Sequence, residues 1–137
     1  MKILIDTNIL LDFLTKREPY YTDAEKIMSL CSHHTISGCI AAHSIMNSFY
    51  ILRTAYTLEQ RRQMLLRLCH IVEIIEIDRE KIIRSLQNAD FTDVEDCLQS
   101  ECAIRCHADY IVTRNIKDFK KSLIPAILPK DLIKLVK

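Results

Sequence analysis

Short apolar runs that end at a polar residue constrain the fold of this chain most. The first run is Ile3–Ile5, which stops at Asp6, and an apolar helical pattern begins directly after it. Continuous apolar runs of this length are typical of strands buried on both faces, as in a parallel sheet. Ligands of open parallel sheets bind beyond the carboxyl ends of the strands. Because a charge at such a place is costly to bury unless it is paired, Asp6 is a candidate site residue.

Predicted strands alternate with predicted helices along the whole chain. We predict strands at residues 3–5, 34–37, 72–77, 110–112 and 127–128. We predict helices at about 8–15, 21–31, 40–55, 58–70, 79–88 and 93–107, with a terminal helix beginning at Pro129, in the first-turn position that proline favours. This alternation favours βαβ units with right-handed crossovers and a parallel sheet covered on both faces. The expected fold class is therefore α/β.

Composition limits the number of domains and the kind of partner. With 137 residues, 49% of them hydrophobic, the chain is expected to form one domain with a substantial core. The formal net charge is only +1, so a nucleic acid would have to be attracted by a local basic patch. No apolar run has the length of a membrane span and no signal peptide opens the chain, which favours a cytoplasmic protein.

The six cysteines follow no zinc-ribbon or zinc-finger spacing. Cys97, Cys102, Cys106 and His107 are close enough in sequence to suggest a metal cluster. Reduced cysteines that pack as small core residues on a helix are the interpretation we favour.

Acidic residues crowd the start of the helix predicted at 93–107. Asp93 and Glu95 are explained by N-capping and by the helix dipole. Asp96 is explained less well by either effect. It lies one turn from Asp93 on the same helix face, from which it could point towards the ends of the strands.

A second buried strand ends at Thr113, and Asn115 and Asp118 follow it. If this strand and the first are neighbours, these residues converge with Asp6 and Asp96 at one edge of the sheet. Carboxylates held together raise one another's pKa unless a cation lies between them. Oxygen ligands suit Mg²⁺ or Mn²⁺, and such an ion activates water and stabilises phosphoryl transition states.

Three stretches carry a resemblance to a known family. They are Ile3–Asn8, Asp93–Leu98 and Ala108–Phe119. In order and spacing they resemble a PIN domain, the nuclease fold of VapC-type toxins, over nearly the whole chain. The resemblance implies a single PIN-like domain over residues 1–137, built as a three-layer α/β/α sandwich with a small parallel sheet. It also implies Mg²⁺- or Mn²⁺-dependent cleavage of single-stranded RNA by metal-activated water.

The resemblance also implies roles for particular residues. Asp6 and Asp96 match two metal-binding acids, and Thr113 matches a hydroxyl residue beside the site. Asn115 or Asp118 supplies a late ligand, with Asp118 the favoured carboxylate. One departure concerns the acid that PIN domains usually carry early in the third helix, where this chain has Asn47. An Asn carbonyl is still a ligand for a hard cation, although it brings no charge.

Partners follow from the same resemblance. We expect an antitoxin protein and a homodimer formed by the third and fourth helices, around Phe49, Leu52, Leu65 and Leu68. Arg114, Lys117 and Lys120 flank the expected site and are candidates for contact with the RNA backbone. Arg53, Arg61, Arg62 and Arg67 form either a second RNA patch or a solvated helix face. The alternative function is an inactive PIN-like module that binds RNA or a protein partner.

Overall fold

The computed structural model describes residues 1–136, whose strands form one parallel sheet. The strands are β1 (Lys2–Ile5), β2 (Ser37–Ala41), β3 (Glu73–Ile75), β4 (Tyr110–Val112) and β5 (Ala126–Ile127). Their order across the sheet is β3-β2-β1-β4-β5, and every neighbouring pair is parallel. This order places β1 at the centre, so the predicted parallel α/β sheet is confirmed.

The helices lie on both faces of this sheet. They are α1 (Thr7–Leu14), α2 (Tyr21–Ser32), α3 (Ala42–Ile51), α4 (Leu58–Cys69), α5 (Arg79–Gln87), α6 (Val94–Arg105) and α7 (Pro129–Val136). Two short 3₁₀ helices, Leu52–Thr54 and Ile116–Phe119, complete the described elements. None of the described helices has the length and apolarity needed to cross a membrane.

Two hydrophobic clusters fill the spaces between the sheet and the helices. Ile3 and Ile5 belong to the cluster shared with α1, α2, α4 and α7. Leu4 belongs to the other cluster, shared with α6 and β4. Successive side chains of a strand point to opposite faces, so the apolar run of β1 contributes to both clusters. The three-layer arrangement is confirmed.

Strand β2 lies later in the chain than the sequence pattern predicts. We predicted a strand at 34–37, whereas Ser37–Ala41 forms it. His34 has a φ of 58°, and its backbone N–H donates to the carbonyl of Cys31, so the residues after α2 close that helix. Ile40 and Ala41, which we assigned to the third helix, are fully buried in the sheet. An apolar strand that runs directly into a helix has no turn residue to mark the boundary.

The apolar residues predicted to form a dimer surface lie on the inner side of the third and fourth predicted helices. Leu52, Leu65 and Leu68 are buried in the protein's own core, and Phe49 packs against that core beneath the guanidinium of Arg61. The prediction that these residues form a dimer surface is therefore wrong. They are the inward stripe that attaches the helices to the sheet.

The cysteines pack as core residues. All six are free thiols, and all but Cys69 are buried. Within residues 1–136, Cys97, Cys102 and Cys106 do not join a group of metal-ligating side chains. Burial raises the pKa of Cys102 to about 12, so this thiol stays protonated.

Candidate active site

Asp6 lies directly after β1, at the carboxyl edge of the sheet. Its backbone N–H donates to the carbonyl of Val112 in β4 (3.0 Å), and its side chain caps α1 by accepting from the N–H of Thr7 (2.7 Å). The other carboxylate oxygen accepts from the hydroxyl of Thr113 (2.8 Å). Burial raises the pKa of Asp6 to about 6, against the opposing effect of these two hydrogen bonds. The charge of Asp6 is therefore oriented but poorly solvated.

Asp96 occupies the first turn of α6, where Asp93 is the N-cap. Burial is the largest cause that raises its pKa to about 7, and the charges of Asp93, Glu95, Asp6 and Asp118 raise it further. Carboxylates from β1, α6 and the loop after β4 therefore repel one another. The sequence placed Asp6 and Asp96 on separate elements, and the fold brings both to one edge of the sheet.

The loop after β4 carries the late candidates. The hydroxyl of Thr113 accepts from the N–H of Asn115 (3.0 Å), and the carbonyl of Asn115 accepts from the N–H of Asp118 (3.1 Å). Both side chains are exposed. Since the charge of Asp118 raises the pKa of Asp6 and of Asp96, Asp118 acts on the same carboxylates electrostatically.

A hydrogen-bonded network around Glu95 adjoins this cluster. Glu95 accepts from Nε2 of Gln99 (2.9 Å) and pairs with Nε2 of His43. The same Gln99 nitrogen also lies within hydrogen-bond distance of the hydroxyls of Ser44 (2.8 Å) and Thr7 (3.0 Å). Burial alone would raise the pKa of Glu95, but the hydrogen bonds from His43 and Gln99 outweigh it, and the pKa lies below its ordinary value. Glu95 is therefore an ionised carboxylate whose position is fixed by hydrogen bonds to His43 and Gln99.

Asn47 is exposed on α3. It lines a shallow cleft together with Thr7, Tyr50, Ile51 and Glu95. The carboxylate that shares this cleft with Asn47 is thus Glu95, which belongs to α6.

The acids of α6 form the tightest group of oxygen donors. Asp93, Glu95 and Asp96 each present a carboxylate oxygen, and these oxygens lie within 4.8 Å of one another. No other group of this kind occurs within residues 1–136. Such a donor set suits a hard divalent cation.

A family comparison decides what kind of protein this is. The model of the PIN domain family matches residues 2–117, which include β1, α6 and β4. The chain belongs to the PIN domain family. A comparison of the sequence with curated proteins gave no significant match.

Solved structures of low sequence identity share the PIN fold of this chain. VapBC-1 from nontypeable Haemophilus influenzae has a TM-score of 0.70 and 17% identity, covering 95% of this chain and 99% of that one. A toxin–antitoxin complex from Klebsiella pneumoniae has a TM-score of 0.69 and 21% identity, covering 93% and 97%. VapC20 from Mycobacterium tuberculosis, a sarcin–ricin loop cleaving toxin, has a TM-score of 0.63 and 10% identity, covering 80% and 86%.

The basic residues predicted beside the PIN site differ in their surroundings. Arg114 donates through Nε and Nη2 to the carboxylate of Asp12, at 2.7 and 3.2 Å, and stacks over the ring of Tyr20. Its guanidinium is therefore already engaged within the protein. Lys117 and Lys120 are exposed, so they remain the candidates for contact with RNA phosphates.

Among the helix arginines, Arg61 donates to the carbonyl of Phe49 and Arg53 to that of Tyr50. Each guanidinium also lies over the ring of the same aromatic residue. These two arginines therefore cover α3. The contacts favour a structural use over an RNA patch for this pair.

The sequence patterns did not identify several residues that surround the candidate site. They are Asp12, His43 as the partner of Glu95, Ser44 and Gln99, of which Asp12, Ser44 and Gln99 are buried. The signal for Asp12 was available, because a charge between Leu11 and Phe13 interrupts an apolar helical pattern and a buried charge needs a partner. The partners themselves are far apart in sequence and could not be read from local patterns.

Proposed function

We propose that this PIN domain protein is a Mg²⁺- or Mn²⁺-dependent endoribonuclease that cleaves single-stranded RNA, acting as the toxin of a toxin–antitoxin pair. One observation carries the proposal. Asp6 and Asp96 belong to elements ninety positions apart, yet the charge of Asp6 raises the pKa of Asp96, and the charge of Asp118 raises the pKa of both. A protein has no structural need for such repulsion, whereas a cation relieves it.

The residues fit a hard divalent ion. The candidate donors are carboxylates and the amides of Asn115 and Asn47, with no cysteine or histidine among them, which is the ligand set that Mg²⁺ and Mn²⁺ prefer. Asp6 and Asp96 would hold the ion, with Asp118 or Asn115 as the late ligand and Asn47 at the edge of the site. A divalent ion bound there would ionise the attacking water and offset charge in the phosphoryl transition state.

The protein's own groups prepare this site. The Thr113 hydroxyl and the Thr7 N–H fix both oxygens of Asp6, so little reorganisation is needed when the carboxylate is used. Gln99 and His43 hold Glu95 in its ionised form. Lys117 and Lys120 beside the site would attract the RNA backbone.

The toxin role rests on the solved PIN structures. Two of the three are described as VapBC or toxin–antitoxin complexes, and the third as a toxin that cleaves the sarcin–ricin loop. An antitoxin is therefore the protein partner we propose. The second candidate function, a weak or inactive PIN module that binds RNA or a protein, is favoured by a single observation, the exposed amide of Asn47 at the expected acid position.

A cleavage assay tests the proposal. Purified protein is incubated with a pool of single-stranded RNAs in Mn²⁺ or Mg²⁺, and in parallel with EDTA. We expect discrete RNA fragments only with metal. Intact RNA at every metal concentration, with RNA still retained in a binding assay, would favour the inactive module.

Asn47→Asp is a gain-of-function prediction. If Asn47 borders the metal, the added charge is expected to strengthen Mn²⁺ binding by roughly 1–3 kcal/mol at the effective dielectric of a protein surface. The same charge is expected to lower the melting temperature without metal, because another carboxylate joins the repelling group. Isothermal titration with Mn²⁺ and thermal melts measure both effects. Equal Mn²⁺ affinity of the two proteins would place Asn47 outside the site.

A homodimer through α3 and α4 is the second assembly we propose. Its candidate surface is the outer side of these helices, where Met46 and Leu66 are 64% and 54% exposed. Met46→Glu and Leu66→Glu are expected to convert a dimer into a monomer in light scattering, because a charge is costly to bury in an apolar interface. Leu86→Glu, at a comparably exposed position on α5, is the matched control. A wild-type protein of monomer mass would refute the dimer.

A further inference from the structure

The side chain of Asp12 is a buried charge that the proposed catalysis does not use. It lies in the middle of α1 and is 0% exposed. A carboxylate buried in this way is tolerated when it is paired and hydrogen-bonded. Arg114 provides that pairing with two donors, at 2.7 and 3.2 Å. Arg17 is a looser neighbour, with Nε 3.8 Å from the carboxylate.

Arg114 follows Thr113, whose side chain is bound to the N-terminal end of the same helix. Thr113 donates to Asp6, the N-cap of α1, and Arg114 donates to Asp12. Asp6 and Asp12 are six residues apart, which corresponds to about 9 Å along a helix. Two attachments separated by this length fix both the position and the direction of the chain leaving β4.

The chain that is fixed in this way leads directly to Asp118. Asn115 donates back to Thr113 and accepts from the N–H of Asp118, so a short series of hydrogen bonds joins the attachment points to the 3₁₀ helix at Ile116–Phe119. The ring of Tyr20 covers the guanidinium of Arg114, 4.0 Å from the ring centroid. The guanidinium of Arg114 is thus enclosed between Tyr20 and Asp12, so it is not free to bind a phosphate.

We propose that Asp12 and Arg114 are positioning residues, a clamp that holds the loop with Asp118 in register with Asp6. The proposal rests on the proposed metal-dependent nuclease for its effect on catalysis. The clamp itself is a property of the protein without metal. Arg114 then acts on the reaction through Asp118, and Asp12 acts through Arg114.

Arg114→Lys is the decisive variant, because it keeps a positive charge for Asp12. A Lys binds a phosphate as a point charge, but it cannot replace a bidentate, stacked guanidinium. If Arg114 is a positioning residue, Arg114→Lys speeds amide hydrogen exchange at residues 115–119, weakens Mn²⁺ binding and lowers kcat with KM unchanged. A loss of roughly tenfold or more in Mn²⁺ affinity is the size expected when a group that orients a metal ligand is removed.

Asp12→Asn is the second variant, because Asp12 is fully buried and cannot meet RNA. It is expected to reproduce the changes of Arg114→Lys. Arg17→Lys is the matched control, since it alters the other arginine beside Asp12 without touching the loop, and it is expected to leave all three measurements unchanged. In an Asp118→Asn background, Arg114→Lys should cause no further loss of Mn²⁺ affinity, because the group through which it acts is already gone.

The outcomes separate the clamp from other roles of Arg114. A raised KM with unchanged exchange and unchanged Mn²⁺ affinity in Arg114→Lys would make Arg114 a phosphate ligand and overturn the clamp. Equal effects of Arg17→Lys and Arg114→Lys would also overturn the clamp, because both would then follow from the lost pairing of Asp12 alone. If the wild-type protein neither binds Mn²⁺ nor cleaves RNA, the proposed function fails. The exchange rates at 115–119 then decide the clamp alone.

Discussion

Asp6→Asn is expected to lower the rate of metal-dependent RNA cleavage by roughly a hundredfold or more, because metal catalysis supplies several kcal/mol of transition-state stabilisation and each tenfold in rate is about 1.4 kcal/mol. The fold should persist, since the Asn oxygen still accepts from Thr113 or from the N–H of Thr7. Single-turnover cleavage of RNA at saturating Mn²⁺ measures the effect. The melting temperature confirms that the variant is folded.

Asp109→Asn is the matched control for Asp6→Asn. Asp109 precedes β4 at the opposite edge of the sheet, where it accepts from the backbone N–H of Lys2. The substitution Asp109→Asn removes the same charge from the protein as Asp6→Asn, but RNA cleavage is expected to continue at the wild-type rate. Comparable losses in the two variants would mean that net charge, rather than a site at the carboxyl edge, governs activity.

The contribution of Asp6 and Asp96 to the stability of the metal-free protein is expected to fall as pH rises from about 4 to about 8. In the folded protein the pKa values of Asp6 and Asp96 are raised from 3.8 to about 6 and about 7. Between these values the folded protein binds more protons than the unfolded chain, so the free energy of unfolding decreases with pH. Above about pH 8 both groups are ionised in both states, and their contribution no longer changes.

Divalent metal is expected to reverse this trend. Because ligands must be deprotonated to bind a metal, Mn²⁺ should raise the melting temperature more at about pH 8 than at about pH 5. Thermal melts with Mn²⁺ and with EDTA at both pH values measure the difference. An equal shift at the two pH values, or none at all, would argue against ion binding by these carboxylates.

Asp96→Asn provides the matched test of the same repulsion. Asp96 carries the larger of the two raised pKa values, and the side chain is only partly buried. Removing its charge is expected to raise the melting temperature of the metal-free protein near neutral pH and to reduce the gain from Mn²⁺. If the variant melts at a lower temperature than the wild type without metal, the Asp96 carboxylate stabilises the metal-free fold and the expected repulsion is refuted.

The carboxyl edge of the sheet illustrates what local sequence could predict about the site. Ile3–Ile5 and Tyr110–Val112 were identified as strands from their apolar runs, and the polar residue that follows each run was correctly placed at a strand end. The sequence did not predict that these two strands are neighbours, since strand order depends on the crossover connections. The structure supplies it by pairing Ile5 with Val112.

The start of β2 and the apolar stripe of the third and fourth predicted helices are the places where the sequence pattern gave a wrong prediction. Ile40 and Ala41 continue an apolar run from the strand into the helix, and periodicity cannot divide such a run. Leu52 and Leu65 were predicted to contribute to a dimer surface, but both are buried in the protein's own core, because burial depends on which neighbour a helix meets. The sequence indicated the apolar stripe correctly, and only the tertiary structure decided that it faces inward.

The sequence by itself determined the α/β class, the order of the three PIN stretches and the candidates Asp6, Asp96, Thr113 and Asp118. These features are local, since periodicity and strand ends are written in neighbouring residues. Only the tertiary structure decided the partners of acidic side chains, as in the pairs His43–Glu95 and Asp12–Arg114. The partners in these pairs are 52 and 102 positions apart. Their meeting depends on packing across the sheet, which no local pattern records.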